Sequence, residues 1–125
     1  MLDHIGIHTH QLPLMKDFYE TALAPLGYEK IFEHEDGAGF GQDGEISLWL
    51  VSTGHNGRGV NIALQSEDRL GVVRFYNAAM ESGAKSNGGP SLRPQFHPDF
   101  FAAFVIDPDG NNLSAICRSP EWVEG

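Results

Sequence analysis

The chain repeats itself. His4-Ile5-Gly6-Ile7 returns 57 residues later as Asn61-Ile62-Ala63-Leu64, and Phe18-Tyr19 returns at the same offset as Phe75-Tyr76. Ala22-Leu23 returns as Ala79-Met80, again 57 residues on. Beyond a longer second-half loop the match slips. Asp43-Gly44 then pairs with Asp109-Gly110 at 66, and Ile46-Ser47 with Leu113-Ser114 at 67. Self-similarity of this kind marks a duplicated structural unit. Each half reads as strand, helix, then three strands. Neither half is large enough to bury its own sheet, so the two are expected to close on each other. The duplication makes His4 the partner of Asn61 and Ser47 the partner of Ser114. It predicts that these four side chains meet in one pocket.

Local patterning supports that reading. Residues 3–9 alternate as a strand does, with Ile5 and Ile7 on one side and His4, Gly6 and His8 on the other. Pro13 suits a first helical turn. Leu14, Phe18 and Ala22 with Met15, Tyr19 and Leu23 then recur at helical spacing. Residues 28–35, 38–41 and 45–51 read as strands separated by polar turns. Gly59–Leu64 is the next strand, and Ser66-Glu67-Asp68 suits a helix N-terminus. Leu70, Val73, Phe75, Tyr76, Ala79 and Met80 are its expected buried face. A short strand around 84–86 leads into a proline-marked crossing, Leu92 to Asp99. The last hairpin, Phe100–Ile106 and Leu113–Cys117, turns at Asp107-Pro108-Asp109-Gly110. On its outgoing strand Leu113 and Ala115 share one face, and Asn112, Ser114 and Ile116 share the other. The expected organisation is one domain over 1–125, with module one at 1–52, a Gly-rich linker at 53–58 carrying His55, and module two at 59–125.

Charge and cysteine usage narrow the function. Seventeen acids against 8 bases give a net charge of -9. That opposes nucleic-acid phosphates and anionic lipid, and mildly favours cationic or neutral ligands. A hydrophobic fraction of 41% and a mean hydropathy of -0.26 suit a soluble globule. The first residues lack the basic and apolar regions of a signal peptide. No stretch approaches the roughly 18 apolar residues of a membrane helix. The single cysteine, Cys117, cannot form an internal disulfide. A cytoplasmic location is the expectation.

At this point the chain resembles the vicinal oxygen chelate superfamily, the group of glyoxalase I, bleomycin-resistance proteins and extradiol dioxygenases. The carriers are His4-Ile5-Gly6-Ile7, Phe18-Tyr19 before Leu26-Gly27, and Phe104 through Asn111. Leu23-Ala24-Pro25-Leu26-Gly27, Ala38-Gly39-Phe40-Gly41, Leu92-Arg93-Pro94 and Phe96-His97-Pro98 resemble a small glyoxalase-like subgroup. The resemblance implies an α+β fold: two βαβββ modules forming a curled mixed β-sheet around a cavity. It implies homodimers, and metal ligands on the first and last strands of each module. Transferred by position, those ligands are His4, Ser47 (or its neighbour Trp49), Asn61 where a His is usual, and Ser114 where a Glu is usual.

Only His4 among these is a strong ligand, whereas a catalytic divalent metal takes about three or four His or carboxylate donors. The expectation is a small-molecule-binding protein whose standard metal site has degraded, with His4, Ser47, Trp49, Asn61, Ser114 and Phe101 around the ligand. One alternative is a metal-dependent lyase, isomerase or dioxygenase, lactoylglutathione-lyase-like. It would hold Zn, Ni, Mn or Fe on His4 and an unconventional set drawn from His8, His97 or Glu45. A second is a metal-free enzyme in which His97 is the general base and Arg93 clamps an anion. Against that stands a structural role, with Arg93 paired to an acid and His97 tying down its loop.

Overall fold

The computed structural model describes residues 2–52 and 60–120. The first half runs β1 (Ile5–His8), α1 (Leu12–Leu23), a 3-10 turn (Ala24–Leu26), β2 (Glu29–His34), β3 (Gly37–Gln42) and β4 (Glu45–Val51). The second runs β5 (Asn61–Gln65), α2 (Arg69–Glu81), β6 (Lys85–Ser86), β7 (Ser91–Leu92), β8 (Phe101–Ile106) and β9 (Asn112–Cys117). The linker expected at 53–58, with His55, lies outside the described residues.

Each half makes one mixed sheet, in the order β1-β4-β3-β2 and then β5-β9-β8-β6, with β7 also pairing with β8. In both, the first strand lies parallel to the last and the other pairings are antiparallel. The architecture is α+β with curled sheets, βαβββ in the first half; in the second, two short strands, β6 and β7, both paired with β8, stand where one was expected.

Helix α1 has Pro13 in its first turn and buries Met15, Phe18, Tyr19, Ala22 and Leu23; Leu14, expected in that stripe, is exposed. Helix α2 is capped by Asp68 rather than Ser66. The Asp68 carboxylate accepts the Gly71 amide at 2.7 Å, while the Ser66 hydroxyl donates to the Asp68 carbonyl at 2.8 Å. Val72, Phe75 and Ala79 form the buried stripe of α2, at i, i+3 and i+7. Leu70 and Met80 fall outside that stripe and are exposed, against expectation.

The helices cover the inner faces of both sheets. Ile7, Phe40, Leu48 and Leu50 from the first sheet, and Ile62, Val105, Leu113 and Ala115 from the second, join one apolar core with them. The halves meet where α2 packs against α1 and the 3-10 turn. Their sheets do not close face to face.

Strand register also revises the repeat. Ile5 lies opposite Leu48 and Gly6 opposite Trp49, just as Ile62 lies opposite Leu113 and Ala63 opposite Ser114. The counterpart of Ser114 is therefore Trp49, not Ser47. The reason is a bulge in β4. Phe40 pairs with Leu48 but Gly41 pairs with Ile46, so Ser47 is the extra residue. Gly41 permits the bulge, since a Cβ there would lie 1.7 Å from the Glu45 carbonyl oxygen.

Candidate functional site

Two cavities divide the residues that the repeat would have gathered. The larger, about 460 Å³, lies against the outer face of the second sheet. Alternation along the strands builds it. In β9, Leu113 and Ala115 enter the core, while Ser114 and Ile116 face the cavity and Arg118 continues the same side beyond the strand. In β8, Val105 enters the core and Phe104 faces the cavity; β5 adds Asn61 and Ala63. The crossing before β8 supplies the wall, with Phe96, His97 and Phe100.

Phe101 does not belong to this cavity, contrary to expectation. It is out of phase with Phe104, buried in the core, and covered by the Arg69 guanidinium 5.4 Å from its ring centroid. Phe100 and Phe104 take the position assigned to it.

The smaller cavity, about 140 Å³, lies where β1 and β5 approach each other. It brings His4 and Ser47 together with Ile5, Leu48, Ile62 and Leu64. His4 is half exposed, and its Nδ1 is 2.8 Å from Asp3 Oδ1. The four symmetric positions are thus separated into His4 with Ser47 and Asn61 with Ser114. Trp49 lines neither cavity; its ring packs edge-on against Phe32, with centroids 5.6 Å apart.

Hydrogen bonds fix what the larger cavity offers. Asn87 Nδ2 donates to Asn112 Oδ1 at 2.9 Å, and Asn112 Nδ2 donates to Asn61 Oδ1 at 2.8 Å. This run of amides occupies the Asn61 carbonyl and leaves its NH₂ free to donate. The Asp99 amide donates to His97 Nδ1 at 3.0 Å, so the neutral ring carries its hydrogen on Nε2. His97 presents a donor there, which departs from the general-base role expected of it. The buried Ser114 hydroxyl turns toward the Ile62 carbonyl at 3.5 Å. The Arg118 guanidinium lies 5.2 Å from the Phe100 centroid.

Arg93, expected as an anion clamp, is part of the frame. Its guanidinium sits 5.0 Å from the Phe104 centroid, on a ring that lines the cavity, and its Nη2 donates to the Gly89 carbonyl at 3.3 Å. The contribution of Arg118 was legible as the next step of the Ser114-Ile116 alternation, and sequence reasoning missed it.

A divalent metal does not fit this donor set. Among the described residues no three His, Cys, Asp or Glu side chains converge. The buried Asp107 of the final turn is engaged elsewhere. Asp107 accepts the amides of Asp109 and Asn111, the Asn111 side chain and the Tyr19 hydroxyl.

No helix among the described residues is long and apolar enough to cross a membrane. No protein-family model matches the sequence, and no curated protein is similar to it by sequence. Solved structures are similar in shape. A glyoxalase/bleomycin resistance protein from Albidiferax ferrireducens T118 superposes with a TM-score of 0.81 at 19% identity, covering 95% of this chain and 99% of that one. A glyoxalase/bleomycin resistance protein/dioxygenase family enzyme from Burkholderia phytofirmans PsJN gives 0.73 at 14% identity, covering 94% and 98%. A lactoylglutathione lyase from Agrobacterium tumefaciens gives 0.69 at 14% identity, covering 94% and 92%. The chain therefore has the fold of the glyoxalase/bleomycin resistance/dioxygenase proteins.

Proposed function

We propose that this chain is a vicinal oxygen chelate protein that binds a small organic molecule in the larger cavity, without a metal at the standard site. One observation carries the reading. A cavity of about 460 Å³, within the size range of ligand sites, combines three phenylalanine rings with the convergent polar groups of Asn61, Ser114, His97 and Arg118. A cytoplasmic setting, read from the cysteine usage, and pairing with a second copy, read from the resemblance, belong to the same proposal.

The metal-dependent lyase, isomerase or dioxygenase reading is less well supported, because His4 and Asn61 stand at different cavities. The metal-free enzyme reading loses its base at His97 for the reason given above. His97 and Asn61 are read here as ligand-orienting donors.

Thermal-shift screening of the full chain against a small-molecule library that includes catechols, glutathione hemithioacetals and cationic glycopeptides tests the proposal. A true ligand at 100 times its Kd should stabilise by about 2.7 kcal/mol. Ala63→Phe, which fills the cavity floor from an exposed position, should abolish that shift. A ligand that stabilises Ala63→Phe as well as the parent would place the site elsewhere.

A further inference from the structure

We infer that the guest of the larger cavity is a flat apolar molecule carrying one negative charge, of the arylcarboxylate kind. The inference rests on the proposed ligand-binding role of this cavity and goes on to name the chemistry it selects.

The first support is the sign of the wall. The chain carries 17 acids and 8 bases, yet among the described residues no acid lines this cavity and Arg118 does. The nearest acid in sequence, Asp99, turns its carboxylate toward Arg69, with Oδ1 3.9 Å from Nη2. Among the described residues Arg118 has no carboxylate partner, although acids outnumber bases about two to one.

The second support is the polarity of the uncharged groups. Asn61 and His97 can each donate or accept, and the accepting atom of each already takes a hydrogen bond from within the fold. The donors that remain for a guest are the Asn61 NH₂ and the His97 Nε2–H. With the Arg118 guanidinium these form a set of donors, which an oxyanion satisfies and an ammonium group does not.

The third support is shape. Phe96, Phe100 and Phe104 provide ring faces and edges, and Phe96 and Phe100 already pack with centroids 5.2 Å apart. A guanidinium borders two of these rings, Arg118 on Phe100 and Arg93 on Phe104. Arg93 Nε is buried and has no hydrogen-bond partner among the described residues. A flat body against these rings therefore places its charged edge beside the Arg118 guanidinium. The overall acidity of the chain had suggested a cationic guest; the cavity wall has the opposite preference.

Calorimetric titration of the full chain with 2-naphthoate, 2-naphthamide and 2-naphthylmethylamine tests this directly. Naphthoate should bind at least about tenfold tighter than the amide, and the cation more weakly still. The preference should shrink at about 0.5 M salt. Arg118→Gln should erase the preference for naphthoate over the amide, and Arg118→Lys should restore part of it. Equal affinity for the three probes, or a preference that survives Arg118→Gln, would overturn the inference. The cavity reading would then still stand if Ala63→Phe abolished binding. Failure of all three probes to bind would also overturn the inference, and the library screen with Ala63→Phe would decide the cavity reading separately.

Discussion

The Tyr19 hydroxyl donates to Asp107 Oδ2 at 2.5 Å, joining α1 of the first half to the final turn of the second across 88 residues of sequence. Both groups are buried. Gln11 reinforces the junction, its amide donating to Asp109 Oδ1 and to the Pro108 carbonyl. The acidic turn therefore acts as a clamp between the halves.

Tyr19→Phe should cost about 1.5–3 kcal/mol, the range for a hydrogen bond to a charged partner. Urea unfolding monitored by circular dichroism would read the loss as a lower midpoint. An unchanged midpoint would mean that the helix packing alone holds the halves together.

The same phenol sets an alkaline limit. Burial, above all, and then the charge and hydrogen bond of Asp107 hold the Tyr19 phenol well above its ordinary value. The folded state keeps this proton where the unfolded state releases it. The contribution is complete below about pH 10 and is lost as pH rises beyond it, toward the folded value. Stability of the parent should fall above that point, and Tyr19→Phe should remove part of the slope.

Arg69 anchors the chain after β9. Its Nε donates to the Ser119 carbonyl at 3.3 Å and its Nη2 to the Pro120 carbonyl at 3.1 Å, with its guanidinium over Phe101. Lysine cannot reproduce that fork. Arg69→Lys should destabilise by about 1–3 kcal/mol and speed hydrogen exchange at the Cys117 and Arg118 amides.

Gly41 is required by the β4 bulge. Gly41→Ala would drive a methyl group into the Glu45 carbonyl oxygen. The expected loss is about 1–3 kcal/mol or more, measured by thermal denaturation. Retention of full stability would mean that the bulge relaxes in the variant and that Ser47 can rejoin the regular pairing.

Divalent ions should leave the protein unchanged. Titration with Zn, Ni, Mn and Fe(II) should give no saturable rise in melting temperature, because no three ligating side chains converge among the described residues. A saturable rise lost in His4→Ala would restore the metal-dependent reading.

Much of the fold was legible because it is local. The 57-residue offset carried over to the helices, α2 starting that distance after α1, since a helix announces itself by its own periodicity. The strand alternation around Ser114 was equally readable. The matching of Ser47 to Ser114 was not, because a bulge changes pairing without changing the pattern of residue types. Leu14, Leu70 and Met80 misled for a related reason: periodicity marks an apolar stripe, but neighbouring elements decide how wide a stripe they cover.

The sequence by itself determined the duplicated βαβββ plan, the helix faces in outline and the turn of the last hairpin, since each depends on interactions between residues close in the chain. Only the tertiary structure decided which open faces share a cavity. That depended on contacts between residues distant in the chain, which placed His4 and Asn61 at different cavities and Arg118 on the aromatic wall of one.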